Sequence, residues 1–333
     1  MGDLDRLLRA AHPRALATLI RLLGDIDAAE DALQEALARA LEVWPSRGEP
    51  DNPVAWLVTT GRNRAIDALR RRQREARHVA SMPPPADDGG AETRALEAAA
   101  GQRVHDDLLR LIFTCCHPAL AEPAQVALTL KTVAGLSVDE IARAFLVSTK
   151  TMEKRITRAK HKIADARIPY EVPDAARLPE RLNTVCAVIY LIFNEGYSAS
   201  RGPDLIRVDL CHEAIRLARL LARLFRSEPE VTGLLALLVL QHSRWRARLD
   251  RHGHIVTLDR QDRTLWHGGL IAEGRALVEK ALRRRRPGAY QIQAAIAAVH
   301  SEAARAEDTD WAQIAELYGV LERYQPSPVV TLN

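Results

Sequence analysis

The chain has 333 residues, of which 47% are hydrophobic and 27% charged, which excludes a disordered chain and allows about two or three domains with buried cores. Its formal net charge of +4 is too small to identify a partner, so local charge is more informative than the total. Aromatic residues make up only 5%, whereas Ala, Leu and Arg dominate, and this composition predicts an all-α fold.

Four scattered cysteines are too few for a disulfide framework, and the longest strongly apolar run, 231–240, is half the length that a bilayer requires. We therefore expect a cytoplasmic protein without a membrane segment. The prolines and glycines of 78–92 predict a flexible linker, and the prolines of 168–179 predict a second domain boundary. The final "PSPVVTLN" resembles the start of another helix, so we expect the sequence to be truncated there. The predicted segments are 1–77 and 93–167 (helical), 78–92 (linker), 168–179 (connector) and 180–333 (helical extension).

The first distinctive pattern is an acidic amphipathic helix, predicted over Asp25–Trp44 and ended by Pro45. An acidic face repels DNA, so this face is expected to contact a basic protein surface. The predicted buried stripe is Ala29, Leu33, Ala36, Leu37, Ala40 and Leu41. The acidic side chains are Asp25, Asp27, Glu30, Asp31, Glu35 and Glu42, opposed only by Arg39.

The next pattern is an arginine-rich helix that starts at Asn52-Pro53, a cap followed by a proline in the first turn. An aromatic ring and amides interleaved with arginines suit binding to a melted DNA strand, although such a helix end is often only solvated. The predicted packed face is Val54, Leu57, Val58, Gly61, Ala65 and Leu69. The opposite face carries Trp56, Thr60, Asn63, Arg64, Asp67, Arg70 and Arg71.

The segment 138–163 predicts two helices joined by a tight turn. Ser137 and Glu140 form a capping box for the first helix, Val138–Phe145, and Ser148 is placed to cap the second. A basic helix after a short turn suits the DNA major groove, and the alternative is a solvated surface helix. Leu146 occupies the turn position where glycine is common, which predicts a wider turn. The second helix has the apolar stripe Met152, Ile156, Ala159 and Ile163 and the polar face Lys150, Thr151, Lys154, Arg155, Arg158 and Lys162.

Other clusters carry weaker signals, and we expect no metal site, no cofactor and no catalytic centre. The adjacent Cys115 and Cys116 diverge on a helix and lack a second zinc-spaced pair, so a packing role is expected. The "HGH" at 252–254 is isolated, and "RRRR" at 283–286 is interpreted as a solvated helix end, with a nucleic-acid contact as the alternative.

The C-terminal half predicts helices with buried stripes. The polar segments 194–200 and 258–266 either line a ligand groove or satisfy each other's backbone groups. The predicted stripes are Val185, Ile189, Ile192 and Phe193, then Ile215, Ala218, Leu221 and Leu224, and a loosely tetratricopeptide-like Trp311, Ala315, Tyr318 and Pro326.

These motifs, in this order, resemble bacterial RNA polymerase sigma factors of the extracytoplasmic-function (ECF) type. "DAAEDALQEALARALEVW" resembles the core-binding region 2.2, "PVAWLVTTGRNRAIDALRRR" the −10 region, and "LSVDEIARAFLVSTKTMEKRITRAKHKI" region 4.2. "LRLIFTCCHPAL" and "IYLIFNEGY" resemble the subgroup with a long helical extension that carries tetratricopeptide-like repeats. Other sigma factors carry proline where this chain has Ser148.

The resemblance implies core RNA polymerase and promoter DNA as partners, with the β′ clamp helices and the β flap as the polymerase contacts. It implies core binding by Asp27, Glu30, Asp31, Gln34 and Glu35. It implies −10 binding by Trp56, Asn63, Arg64, Asp67, Arg70 and Arg71, with a flipped base pocketed by the loop 46–52. It implies −35 binding by Lys150, Thr151, Glu153, Lys154, Arg155 and Arg158.

The extension, which is large and fused to the sigma regions, is expected to regulate them in cis and to take a small regulatory protein or ligand. An ordinary helix-turn-helix regulator with a sensor domain is the main alternative, but it needs neither the acidic helix nor the arginine-rich one. An enzyme is a third class, disfavoured because no nucleophile, metal or carboxylate set converges in the sequence.

Overall fold

A computed structural model describes residues 3–76, 107–197 and 206–326 of the chain. Within these ranges the protein consists of α-helices and short 3-10 turns, and its only β-type pairing is an isolated bridge between Leu249 and Ile255. The predicted all-α fold is therefore confirmed. None of the helices in the described ranges is both long enough and apolar enough to cross a bilayer. The predicted linker 78–92 and the terminal "PSPVVTLN" lie outside or almost wholly outside the described residues.

The chain divides into two compact units. Unit 1 contains Met1–Ile141 and Thr149–Thr184, and unit 2 contains Ala142–Ser148 and Val185–Asn333. Sequence composition placed the last boundary at 180, slightly before the division at Thr184. The sequence-based division into five segments stays a prediction.

Three helices, α1 (Asp3–Leu23), α2 (Ile26–Arg47) and α3 (Pro53–Ala76), pack against one another in unit 1. Asp25 caps α2 as expected, since its Oδ1 accepts a hydrogen bond of 2.7 Å from the amide of Ala28. Asn52 caps α3, accepting from the amide of Ala55 at 3.1 Å.

Two details of α2 correct the sequence interpretation. The helix continues through Pro45, because proline already has a helical φ, and it ends only where Gly48 adopts a φ of +84°. Leu41, predicted to be buried, is 56% exposed, while Leu37 is half-buried. The buried stripe instead follows Ala29, Ala32, Leu33, Ala36, Ala40 and Trp44.

Unit 1 continues with α4 (107–115), α5 (Glu122–Thr132) and α7 (Thr149–Asp165). The helix before α7 is α6 (Val138–Ala144), one residue shorter than predicted. Its capping box is confirmed, because Ser137 N donates to Glu140 Oε2 at 2.7 Å and Glu140 N donates to Ser137 Oγ at 3.2 Å. Leu146 makes the turn by adopting a left-handed φ of +48°, the conformation that glycine adopts without strain.

The remaining helices are α8 (Leu178–Tyr197), α9 (Val208–Leu224), α10 (Pro229–His242), α11 (Gly268–Leu282), α12 (Ala289–Glu302) and α13 (Trp311–Tyr324). In unit 2, α10 is the central element and packs against α9, α11 and α12. Leu237 and Leu240 of α10 form one core with Val278 and Ala294.

The predicted stripe of α8 is confirmed, since all four of its residues are buried. In α9 the first three predicted residues are buried and Leu224 is half-buried. The tetratricopeptide-like stripe of α13 is wrong in part: Trp311 is 56% exposed and Ala315 is also exposed. Ile314 and Leu321 are buried instead, because this face of α13 packs against α12.

Candidate nucleic-acid and partner interfaces

Helix α7 separates an apolar face from a basic one. The four residues predicted to be buried, Met152, Ile156, Ala159 and Ile163, are all buried. On the opposite side the predicted −35 residues reach solvent: Arg155 is half-buried, and Lys150, Thr151, Glu153, Lys154 and Arg158 are exposed. This arrangement presents long cationic side chains outward from a helix that is fixed on its other side.

A cleft of about 440 Å³ borders the basic face of α7, and sequence reasoning missed it. Its far wall is the segment from Ala119 to Ala121 together with Ala124, at the start of α5. The start of α5 adds few donors, because Pro123 has no amide hydrogen, the amide of Ala124 donates to Ala121 O at 2.8 Å, and Glu122 is acidic. The α7 side of the cleft is lined by Thr151, Lys154, Arg155, Arg158, Ala159 and Lys162. Such a cleft favours an anion.

Helix α3 carries the predicted −10 residues. Asn63, Arg64 and Asp67 are exposed. Trp56 is half-buried because its ring packs edge-to-face against Trp44, with the ring centroids 5.3 Å apart. Arg70 and Arg71 lie on the same helix, but their side chains are outside the described residues. The loop before α3 is shorter than the predicted 46–52, because Ser46 and Arg47 belong to α2.

The predicted core-binding residues all lie on α2. Asp27, Asp31, Gln34 and Glu35 are exposed, and Glu30 is partly buried. Two of them already have a partner in the same chain, which sequence reasoning did not find. The Nζ of Lys160, on α7, lies 2.7 Å from Asp27 Oδ1 and 3.0 Å from Glu30 Oε2.

The environment of Lys160 favours its charged form. Burial alone would lower the pKa of this ammonium, but the Glu30 and Asp27 carboxylates beside it raise the pKa above its usual range. The acidic face of α2 was expected to contact a basic protein surface, and in this structure part of that contact is intramolecular.

The structure places the Cys115–Cys116 cluster in a packed interior. No group of three or more potential metal ligands occurs among the described residues. Cys115 and Cys116 are buried, and their Sγ atoms lie 3.1 Å from Thr132 Oγ1 and 3.5 Å from Thr129 Oγ1. Burial raises the pKa of the Cys116 thiol to about 11, which suits a packed structural residue.

The polar segments of unit 2 satisfy backbone groups. Arg263 donates to the carbonyl oxygens of His300 at 2.7 Å and Ala303 at 2.6 Å, at the end of α12. Arg248 donates to the carbonyl oxygen of Tyr197 and stacks over its ring, with the guanidinium carbon 3.5 Å from the centroid. These contacts favour the structural alternative for 258–266 and for the described part of 194–200 over a ligand groove.

Three families match the chain in succession. Residues 7–75 match sigma-70 region 2, residues 110–163 match sigma-70 region 4, and residues 181–282 match a family of unknown function, DUF6596. No solved structure matches the chain.

Similar proteins include an uncharacterized protein of Rhizobium meliloti, 53% identical over all of this chain and 78% of that protein. The ECF RNA polymerase sigma factor EcfG of Rhodopseudomonas palustris is 30% identical over 46% of this chain and 80% of its own length. The ECF RNA polymerase sigma factor SigK of Mycobacterium tuberculosis is 31% identical over 47% of this chain and 90% of its own length. The chain therefore belongs to the ECF RNA polymerase sigma factors, which are promoter-recognising initiation factors rather than enzymes and which bind core RNA polymerase and promoter DNA.

Proposed function

We propose that this sigma factor reads the −35 element with α7, reads and helps to melt the −10 element with α3, and binds core polymerase through α2. The observation that carries this assignment is the division of α7 into a fully buried apolar stripe and an exposed basic face. The assignment places −35 contacts at Lys150, Thr151, Glu153, Lys154, Arg155 and Arg158.

The cleft beside α7 supports a specific role for its arginines. Arg155 and Arg158 line the cleft beside the start of α5, so a DNA phosphate seated there would meet their guanidinium groups. The first turn of α7, with Lys150 and Thr151, then enters the major groove to contact base edges. Phosphate contacts fix the register, and the first turn supplies the sequence preference.

On α3 we assign Trp56, Asn63, Arg64, Asp67, Arg70 and Arg71 to the −10 element. The exposed Asn63 and Arg64 support this assignment, because amide and guanidinium groups bind unstacked bases and the backbone of a melted strand. Trp56 packs on Trp44 beside the loop 48–52, and we assign it to holding the shape of that loop around a flipped base.

The core-binding assignment rests on the charge of α2. Asp31, Gln34 and Glu35 stand exposed on one helix with Asp27, and an acidic helix face is complementary to a basic partner. We propose that this face binds the β′ clamp helices and that the region 4 part of the chain contacts the β flap.

The extension, which includes the residues that match DUF6596, is proposed to regulate the sigma regions in cis and to receive a regulatory protein or ligand. Its test is a chain that ends at Thr184. This end point retains Arg181, which donates to the carbonyl oxygen of Phe113 and stacks on its ring in unit 1. Promoter-dependent transcription and core affinity equal to those of the full chain would remove the regulatory proposal.

Run-off transcription with purified core polymerase tests the assignment as a whole. Full-length protein should direct initiation at a defined promoter. Arg158→Ala should weaken this promoter and flatten the salt dependence of promoter binding, because it removes one phosphate contact. Arg143→Ala is the matched control, since Arg143 is an exposed cation on α6 outside the assigned contacts. Equal losses for both variants would contradict the assignment of α7.

A further inference from the structure

In this structure α7 contacts the sigma-region-2 helix α2 of the same chain through Lys160. Lys160 reaches two carboxylates on α2 and keeps only 11% of its side chain exposed, and Glu30 keeps only 19%. The Lys160–Glu30 pair is therefore more protected from solvent and salt than an ordinary surface ion pair, whereas Asp27 is 63% exposed.

The burial of α1 shows that this contact is part of a wider interface within unit 1. Six consecutive residues, 15–20, are all buried. Because successive helical residues point about 100° apart, six of them cover the whole circumference, so α1 is enclosed rather than packed on one face. Helices α2 and α3 cover part of that circumference.

The region that follows residue 106 covers another part of α1. The hydroxyl of Tyr170 donates to the carbonyl oxygens of Ala17 at 2.9 Å and Asp107 at 3.1 Å. The Nε of Arg21 lies 2.9 Å from both carboxylate oxygens of Asp107, whose side chain is 2% exposed. Two polar contacts, linked through Asp107, thus join α1 to residues that flank the region 4 match in unit 1.

This closed arrangement is incompatible with binding both promoter elements at once. Elements centred about 25 base pairs apart are separated by on the order of 80 Å of duplex, at 3.4 Å per base pair. A nitrogen of α7 that lies 2.7 Å from an oxygen of α2 cannot belong to a chain spanning that distance. Closed and promoter-bound forms are therefore two states of the molecule.

We propose that the sigma-region-4 helix α7 closes onto the polymerase-binding face of its own chain, and that core polymerase must displace Lys160 from Asp27 and Glu30 to bind. The closed state is thus an intrinsic competitor for the acidic face of α2. This inference rests on the proposed function, because it takes that face to be the core-binding one. Apparent core affinity is then reduced in proportion to the fraction of open molecules.

The test is a distance measurement in the full-length protein, with dyes on Leu41→Cys and Ala164→Cys, two exposed positions on α2 and α7. The native cysteines are buried, so the dyes attach to the introduced thiols. Energy transfer should be high at low salt and should fall when core polymerase is added. It should also fall in Lys160→Glu, whose core affinity should rise about fivefold or more.

Two further variants control this measurement. The charge exchange Glu30→Lys with Lys160→Glu should restore high transfer, which a folding defect could not do. Lys162→Glu makes the same charge change at an exposed position that contacts no carboxylate among the described residues, and transfer should stay high. Low transfer in the unmodified protein, or equal transfer in Lys160→Glu, would overturn the proposal.

The outcomes also separate this inference from the proposed function. Asp31 lies on the same face of α2 but has no contact with Lys160 in this structure. Asp31→Lys should weaken core binding without changing transfer. Unchanged core affinity in that variant refutes the core-binding assignment whatever the dyes report. Lower transfer in Lys160→Glu without tighter core binding refutes the competition alone.

Discussion

The two faces of α7 predict different results for neighbouring substitutions, Met152→Ala and Lys154→Ala. The Met152 side chain is fully buried, and removing its atoms beyond Cβ should cost about 3 kcal/mol of folding free energy, since buried Met→Ala changes cost about 2–5 kcal/mol. Lys154 is exposed and lines the cleft, so Lys154→Ala should change stability by less than about 0.5 kcal/mol. It should instead flatten the dependence of log affinity on log salt by about one unit.

The four buried cysteines provide an assay that resolves the two units. Cys115 and Cys116 belong to unit 1, whereas Cys186 and Cys211 belong to unit 2. Thiol labelling in a urea series, read by mass spectrometry, therefore reports each unit separately. With an m-value of about 2 kcal/mol per molar, Met152→Ala should lower the unit 1 midpoint by about 1.5 M.

The salt dependence of −35 duplex binding, measured by fluorescence anisotropy, completes this comparison. Lys154→Ala should leave both labelling midpoints unchanged. The reasoning is refuted if Lys154→Ala lowers the unit 1 midpoint as far as Met152→Ala does. It is equally refuted if Met152→Ala weakens DNA binding while the midpoint stays in place.

Four further results are expected. Gly233→Ala should destabilise unit 2 by about 1–3 kcal/mol, because its Cβ would lie 2.8 Å from the backbone nitrogen of Gln291; Gly319→Ala, with open space around it, should stabilise α13 by about 0.5–1 kcal/mol in the same urea assay. Arg64→Ala should weaken binding to a melted −10 fork about tenfold and leave −35 duplex binding unchanged in anisotropy titrations, and equal losses on both DNAs would contradict its assignment. Burial lowers the pKa of His12 to about 4, so below about pH 6.5 the unfolded chain binds a proton at this position and the folded chain does not. The free energy of unfolding should therefore fall by up to about 3 kcal/mol between pH 6.5 and 4. His12→Gln should remove this part of the pH dependence of stability, measured by thermal melts at each pH.

Sequence periodicity predicted the parts of the fold that depend on a single helix. All four buried residues of α7 follow from spacing, because one strongly amphipathic helix packs one face on its neighbours. The caps at Ser137 and Asn52 were equally predictable, since a cap involves residues three positions apart.

The errors come from packing that no single helix encodes. Leu41 and Trp311 have the residue type and the spacing of core positions, yet their neighbours bury other faces of the two helices. Tertiary packing thus shifted the stripe of α2 to include Ala32 and Trp44. The cleft beside α7 was also missed. Its second wall consists of Ala119, Leu120, Ala121 and Ala124, which are apolar residues with no charge pattern that would indicate a binding site.

The acidic face of α2 was predicted, but not what occupies it. The Lys160–Asp27 pair joins residues 133 positions apart, and Lys160 is one cation among many on a basic helix. Charge patterning shows that such a face needs a basic partner, and only coordinates show that the partner is in the same chain. The enclosed stretch 15–20 was likewise not predicted, and it includes the polar Thr18, which is buried with its apolar neighbours.

Helix α10 has a consequence for how the extension tolerates truncation. Twelve of its residues are buried, and it packs against α9, α11 and α12, so α10 has almost no solvent-exposed face. A truncation that removes α11 and α12 would expose the apolar surface of α10, and the shortened protein should aggregate or be degraded. The extension is thus an all-or-none module: natural variants and engineered fusions should keep it whole or omit it entirely, and graded trimming should give no intermediate phenotype.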